Sequence, residues 1–547
     1  MLYRQAIRAT KRFAGDFEIG STYNPTRHPD IFRDYPICDT VNDVNPSSGL
    51  PPYSRLPVAL YRADQVRELD RIAIEDLGIP GIELMNRAGA AAYAVLRERW
   101  PAVERLVVLC GGGNNGGDGY VVARMALESG IAVKVCTPPD LKPLKGDALT
   151  AQAAWREAGG ATERFRESAL DSAEVVIDGL LGTGLERAVT GAYAEIIAAV
   201  NRADRPVLAL DIPSGLSAAT GMPLGLALRA QTTVTIAGLN RGLFTREGAD
   251  HVGDLRFADL GITESVYQRI APDATRIGAA EASRLLAPRR RTSHKGGNGH
   301  VLVIGGDSGM SGAVRMAAEA AARVGAGLVS VATRASHAAW ITLDRPEIMS
   351  HGVEDGAALR PLLGRASVVV VGPGLGQGEW GKTMLKGVID SGKAMLVDAD
   401  ALNLLAADPR RGDCWILTPH PGEAARLLGC SVPDIQKDRF TAVHELRQRF
   451  GGVAILKGAG SLVCGDEGPV GVCCAGNPGM ASGGMGDVLS GVIAGLWAQD
   501  ETTPPLAART GVYLHAVAAD LAAESGERGL LATDLYPFLR QLVNPTV

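Results

Sequence analysis

The sequence predicts two α/β domains in tandem, each a parallel sheet covered by helices. Three observations predict it. Short apolar runs rich in β-branched residues alternate with helix-period segments from residue 60 onward, the signature of strands joined by crossover helices. That alternation pauses once, across residues 263–292, and then restarts. Glycine is in excess, 68 of 547 residues, about 12% against an average near 7%, and it clusters just after the strand-like runs, where backbone can approach phosphates. A chain of 547 residues exceeds one compact core, so two or more domains of about 100 to 250 residues each are expected.

Composition narrows the classes. Hydrophobic residues at 46% and charged residues at 21% describe a globular chain with ample core material. The balance of 55 Lys plus Arg against 60 Asp plus Glu leaves no basic excess, which argues against nucleic acid as a partner. No apolar stretch approaches the ~20 residues that a membrane span requires, so no membrane role is expected. The eight cysteines contain no C-x-x-C pair and mostly sit in apolar runs. Neither a zinc site nor a disulfide framework is indicated, and the expectation is a reduced, cytoplasmic protein, with the vicinal Cys473 and Cys474 as a minor redox alternative.

Residues 1–57 are expected to form a poorly ordered N-terminal extension, rich in Pro, Asp, Asn and Arg and ending in PSSGLPPYSRLP. Its opening, MLYRQAIRATKRF, carries Arg and Lys without an acid, as transit peptides do, but Asp16 and Glu18 break that pattern. A lineage-specific tail or an early start codon is the plainer reading. Within 58–270, helices are predicted over 63–76 and 80–99, followed by the strand RLVVLC at 105–110, the loop GGGNNGGDGY and the helix VVARMALESG. Further strands are IAVKVC, AEVVIDGL, RPVLALDIPSG and TTVTIAG, and together they make a Rossmann-like domain. Residues 271–292 read as a linker, with the basic run PRRRTSHKGG at its far end. From 293 to 547 the strand-to-loop transitions resume at HVLVIGGDSG, GLVSVAT, ASVVVVGPGLG, AMLVDADAL, CWILTPHPGE and GVAILKGAGSLV, with helices over 312–324, 421–429 and 484–497.

The glycines Gly111, Gly113 and Gly116 after RLVVLC formally satisfy G-x-G-x-x-G in a strand-turn-helix context, which suits phosphate or dinucleotide binding. Asn114, Asn115 and Asp118 add amides and a carboxylate beside a helix N-terminus. No acid stands about 20 residues on at the next strand end, since Asp140 falls later and after two prolines, so an ordinary NAD-dependent dehydrogenase fits poorly. Asp178 in VIDGLLGTGL and Asp211 in LALDIPSG end two further strands. Strand carboxyl ends line the ligand crevice of a doubly wound sheet, so Asp118, Asp178, Asp211, the 182–184 loop and Ser214 can converge for acid-base work, and their oxygens would suit a hard cation.

At this point the segments NNGGDG, VIDGLLGTGL and DIPSG resemble the signature of the NAD(P)H-hydrate epimerase domain, in order across residues 60–262. One departure is LMNRAG at 84–89, where that family often has LMENAG. The resemblance implies exchange between the S and R epimers at carbon 6 of hydrated NADH or NADPH (NADHX and NADPHX). It assigns Asn114, Asn115, Gly116, Gly117, Asp118, Gly182, Thr183, Gly184, Leu185, Glu186, Arg187, Ala188 and Asp211 to substrate, and Asn115, Asp178 and Ser214 to potassium. Asp211 is the first candidate for the acid-base group and Asp118 the second.

In the second half, NPGMASGGMGDVLSG at 477–491 places small residues where successive N–H groups can form an anion-binding nest at a helix start. Asp487 stands there as a candidate base for a hydroxyl proton. Lys457 and the glycines of LKGAGSLV can meet phosphate or adenosine groups, although no Walker A loop is present. This arrangement resembles ribokinase-like enzymes. KGGNGHVLVIGG, GMSGAVRMAA, VGPGLG, VDADALN and TPHPGE narrow the likeness to the ADP-dependent NAD(P)H-hydrate dehydratase over about 293–540. The resemblance implies Ala313, Gly374 and His420 for the hydrated dinucleotide; Lys457, Gly458, Ala459, Gly460, Ser461 and Gly486 for AMP or ADP; and Asp487 for substrate and catalysis. It further implies magnesium and ADP as co-substrate. Read without the family, His420 between two prolines is more often a loop histidine than a ligand.

The sequence thus predicts a bifunctional repair enzyme, cytoplasmic and homo-oligomeric, acting on small molecules. Its rival is a ribokinase-like small-molecule hydroxyl kinase carrying a regulatory or scaffolding Rossmann-like domain.

Overall fold

The computed structural model describes residues 56–499 and 502–544. The expectation for 1–57 therefore lies outside the described residues except at its last two positions.

The first domain is a seven-stranded sheet with all neighbours parallel. After the short β1 (Ala59–Leu60), its strands are β2 (Arg105–Cys110), β3 (Ala132–Thr137), β4 (Thr162–Arg164), β5 (Val175–Gly179), β6 (Val207–Leu210), β7 (Thr232–Ile236) and β8 (Asp254–Ala258). Their spatial order is β4-β3-β2-β5-β6-β7-β8. The chain leaves β2 in one direction and returns to β5 on its other side, so the carboxyl ends of β2 and β5 flank a topological switch point. Both strands are apolar almost throughout because helices cover both faces of the sheet. The helix after β2 begins at Asn114, not after the glycine loop, so NNGGDG is its first turn and a half. Gly116 permits this, since a Cβ there would stand 2.1 Å from the Gly111 carbonyl oxygen.

The second domain carries β10 (His300–Ile304), β11 (Leu328–Thr333), β12 (Met349–Gly352), β13 (Val368–Val371), β14 (Met395–Val397), β15 (Trp415–Leu417), β16 (Val453–Leu456), β17 (Ser461–Cys464) and β18 (Val470–Cys473). From β12 through β11, β10, β13, β14 and β15 to β16 every pair is parallel, with the switch point between β10 and β13. Beyond β16 the sheet turns antiparallel, and LKGAGSLV is a hairpin joining β16 to β17.

The stretch read as a linker is built into this sheet. Strand β9 (Ala274–Ile277) runs parallel to β18, and helix Ala279–Leu285 follows it. β1, at the start of the first domain, pairs antiparallel with β9. Both ends of the first domain thus enter the second domain's sheet, which counts eleven strands. ATRI is too short to show a strand period, and its partners lie about 200 residues on, out of reach of any local pattern.

The two sheet faces bury separate clusters. Helices Ser311–Arg323 and Met485–Trp497 cross closely, and a Cβ at Gly491 would meet the Ala317 carbonyl oxygen at 2.0 Å. Among the described cysteines none is disulfide-bonded; Cys110, Cys136, Cys464 and Cys473 are buried, whereas Cys414 and Cys430 are exposed rather than part of the core. Among the described residues, no helix is long and apolar enough to cross a membrane.

Candidate active sites

A cavity of about 880 Å³ opens at the first switch point, lined among others by Asn114, Asn115, Asp118, the 182–187 loop and Asp211. Local covalent geometry builds it. A Cβ on Gly111 would lie 1.8 Å from the Leu180 carbonyl oxygen, so the loops after β2 and β5 touch backbone to backbone, whereas Gly113 faces open space. Gly113 caps the helix Asn114–Glu128 and leaves its first N–H groups directed at the cavity.

Asp211 follows β6 in a left-handed backbone conformation, φ 65°, which a non-glycine residue adopts at some cost. One carboxylate oxygen accepts from the Thr183 N–H at 3.2 Å. Burial raises its pKa to about 6. Asp118 is driven well above the usual carboxylate range by burial and then by the charges of Asp211 and Asp70. Asp70, on the helix Ala63–Glu75, also lines the cavity, and burial followed by Asp211 pushes it to about 7. Three carboxylates therefore share one enclosure and cannot all be ionised cheaply. Sequence reasoning missed Asp70 because it sits inside ELDRIAI, where a helix-face acid reads as a solvated charge. Ala188 is the one predicted substrate residue of the 182–188 run that does not line the cavity.

Asp178 and Ser214 lock together beside this enclosure. Asp178 is fully buried and accepts from the Ser214 hydroxyl at 2.6 Å, the Ser214 N–H at 2.8 Å and the Leu180 N–H at 3.2 Å. The Leu181 N–H in turn donates to the Ser214 hydroxyl at 2.8 Å. Asn115 donates its amide to the Leu181 carbonyl at 3.1 Å, while its Oδ1 is buried without a partner. An orphaned amide oxygen beside a carboxylate and a hydroxyl is a donor set that fits a hard monovalent cation.

At the second switch point the loops after β10 and β13 are bonded to each other. The Gly306 N–H donates to the Pro373 carbonyl at 3.0 Å and the Asp307 N–H to the Gly374 carbonyl at 2.7 Å. This joins Ala313 to Gly374, where a Cβ would stand 3.3 Å from that of Ala313. The carboxyl ends of β14, β15 and β16 then contribute Asp398, His420 and Lys457. The Lys457 ammonium lies 2.9 Å from Asp398 and 3.9 Å from Glu423. Burial opposes its charge, but Asp398, Glu423 and Asp487 outweigh that and raise its pKa. Asp487 sits in the first turn of helix Met485–Trp497, its pKa raised to about 7 by burial and by Asp398 despite Lys457. Gly486 is adjacent, since a Cβ there would be 3.3 Å from the Lys457 ammonium.

His420 caps helix Pro421–Leu428, its Nδ1 accepting from the Gly422 N–H at 2.9 Å and the Glu423 N–H at 3.3 Å. Burial, then Lys457 and Arg426, lowers its pKa. These surroundings favour the neutral imidazole, and the cap fixes its orientation. The 477–484 loop is rooted by Asp520, which accepts from the Gly476 N–H and the Asn477 amide, each at 2.9 Å. Asp398, Glu423, Ser490 and Asp520 escaped sequence reasoning. The first two lie within VDADALN and TPHPGE; a carboxylate directly after an apolar strand was the signal that could have found Asp398, and an acid at the third position of a helix opened by His420 and Pro421 the one for Glu423.

Comparison with known proteins identifies both halves. A family model described as "YjeF-related protein N-terminus" matches residues 81–242, and one described as "NAD(P)H-hydrate dehydratase" matches residues 301–540. The bifunctional NAD(P)H-hydrate repair enzyme of Coxiella burnetii is 50% identical over 487 residues, 89% of this chain and 99% of that protein. Its counterpart in Escherichia coli is 47% identical over 493 residues, 90% of this chain and 95% of that protein. A solved Bacillus subtilis ADP/ATP-dependent NAD(P)H-hydrate dehydratase, co-crystallised with ATP and magnesium, is 28% identical, covers 49% of this chain and 96% of its own, and has a TM-score of 0.44. Both models match in one chain, in order, and relatives are similar across both halves, so a hydroxyl kinase with a scaffolding domain is not favoured. The chain belongs to the family of bifunctional NAD(P)H-hydrate repair enzymes, its first half a Rossmann-like epimerase domain and its second a ribokinase-like dehydratase domain.

Proposed function

We propose that the two switch-point sites act in sequence on hydrated NADH and NADPH. In the first, Asp211 serves as the acid-base group at carbon 6, with Asp118 and Asp70 sharing its proton, while Asn114–Asp118 and residues 182–187 hold the substrate. Asn115, Asp178 and Ser214 would hold potassium, which supplies a fixed positive charge beside the substrate. In the second, Ala313, Gly374 and His420 bind the S epimer, and Lys457–Ser461 with Gly486 bind ADP. Asp487 takes the proton of the ring hydroxyl as its oxygen attacks the β-phosphorus, and AMP leaves. Loss of phosphate from carbon 6 and of a proton from carbon 5 restores the dihydronicotinamide. Magnesium would be held chiefly by the nucleotide phosphates.

The observation that carries this reading is the convergence of Lys457, Gly486 and Asp487 at open strand ends, in the same chain as the carboxylate-lined cavity. A cytoplasmic, homo-oligomeric enzyme with no nucleic-acid or membrane partner completes the reading. The test is recovery of NADH absorbance from a mixture of NADHX epimers with magnesium, with potassium present or replaced by tetramethylammonium, and with ADP, ATP or no nucleotide. Complete recovery with ADP and potassium is expected. Asp487→Asn slows it by about 100-fold or more, and Asp211→Asn limits the fast phase to the S fraction. No recovery with either nucleotide overturns the reading.

A further inference from the structure

The candidate nucleotide turn 457–461 does not stand on its own domain alone. Arg439, buried beneath it, donates to the carbonyls of Leu456 at 3.0 Å, Ala459 at 3.2 Å, and Lys457 and Gly460 at 3.3 Å. The first domain covers its other side. The Arg246 N–H donates to the Ala459 carbonyl at 3.1 Å, and the Thr245 hydroxyl reaches the Ala459 and Gly460 carbonyls at 3.3 and 3.4 Å. A Cβ on Gly460 would stand 2.1 Å from the Phe244 carbonyl oxygen, so the turn and the 244–246 segment meet backbone to backbone. With its carbonyls occupied from both domains, the turn leaves Gly458 and Ala459 exposed to solvent.

Arg246 has two further properties. It is a non-glycine residue in the left-handed region, φ 61°, a conformation glycine would adopt without strain. Its acidic partner Glu247 is 3.6 Å away, and its Nε is buried without a hydrogen bond. Its charge also bears on Arg439, whose pKa burial and then Arg246 lower to about 10. Carried on a residue whose backbone is bonded to this turn, a guanidinium with an unused donor is complementary to a phosphate.

We propose that the first domain completes the nucleotide site of the second: the Phe244–Arg246 segment sets the shape of the 457–461 turn, and the Arg246 guanidinium supplies positive charge for the phosphates of ADP. This deepens the reading given above and rests on its assignment of the turn to the nucleotide. Arg246 is a positioning and binding residue, and the epimerase cavity does not include it.

The test measures dehydration in the full-length chain with ADP varied, and epimerisation in parallel, for Arg246→Gly, Arg246→Lys and Ala459→Glu. Arg246→Gly removes the guanidinium where glycine relieves backbone strain, so the fold is retained. Its KM for ADP is expected to rise about tenfold, the effect of one charged contact, with kcat, the KM for the hydrate and the epimerisation rate held within about twofold. Arg246→Lys is expected to recover most of the loss. An unchanged KM for ADP in Arg246→Gly overturns the proposal. Ala459→Glu, which puts a carboxylate on the exposed turn, separates the two levels. If it raises the KM for ADP and Arg246→Gly does not, only the contribution of the first domain fails. If neither does, the nucleotide assignment of the turn fails with it.

Discussion

Asp398 takes the Lys457 ammonium on one oxygen at 2.9 Å and the Ser490 hydroxyl on the other at 2.7 Å. It thereby joins the end of β14, the hairpin after β16 and the helix that carries Asp487. The side chains of Lys457 and Asp398 are 19% and 2% exposed, so each charge depends on the other. Asp398→Asn is expected to cost about 3 kcal/mol of stability, as breaking a buried pair does, with Glu423 keeping Lys457 partly compensated. Urea unfolding measures it; a loss below about 0.5 kcal/mol would show that the pair is not coupled in this way.

The pH profile of dehydration follows from Asp487. A base must be ionised to accept a proton, and this carboxyl is raised to about 7 by burial and by Asp398. The rate is therefore expected to climb as pH rises through about 7. In Asp398→Asn the climb moves to lower pH, because one charge opposing ionisation is gone. Asp487→Asn loses about 100- to 10,000-fold in rate, the usual contribution of a positioned base. Rates of kcat from pH 5.5 to 8.5 decide it, and a flat profile would exclude Asp487 as the base.

The first site pays in stability for its carboxylates. Asp211 has its pKa raised to about 6, so its contribution to folding is fully present below the ordinary carboxylate value near 3.9 and is lost as pH rises through about 6. Asp211→Asn, which can still accept from Thr183, should be more stable than the parent by about 1–2 kcal/mol at pH 8 and equal to it near pH 4. Thermal melts at the two pH values test this, and a variant less stable at pH 8 would contradict it.

Gly111 and Gly113 separate packing from binding within one loop. Gly111→Ala drives a Cβ to 1.8 Å from the Leu180 carbonyl oxygen, and a backbone collision of this kind should destabilise the fold by about 3 kcal/mol. Gly113→Ala meets nothing within 4 Å and has an extended backbone that alanine adopts. It should fold normally and raise the KM of epimerisation, since its Cβ enters the cavity. Melting temperature and KM are read on both variants; equal melting losses would refute the distinction.

The order of elements was legible because each α/β unit is local: RLVVLC, VVARMALE or SGAVRMAAEAAAR carries its own period, and the catalytic motifs follow strand ends. Asp178, Asp211, His420 and Lys457 could be named for that reason, since chain topology sends every strand end of a parallel sheet to the same edge, and Asp118 and Asp487 because each stands in a glycine-rich motif at a helix start. Asp70 and Asp520 could not, because a carboxylate on a helix is indistinguishable in sequence from a solvated one until its surroundings are known. The same holds for β9, which has four residues and finds its partners β1 and β18 at separations of roughly 200 residues, a pairing that leaves no periodic trace. By itself, then, the sequence determined two α/β domains, their motifs and the family. Only the tertiary structure decided which carboxylates share an enclosure, that the supposed linker is a strand of the second sheet, and that Arg246 reaches the turn at Ala459, because burial and contact between distant segments are properties of packing and not of local order.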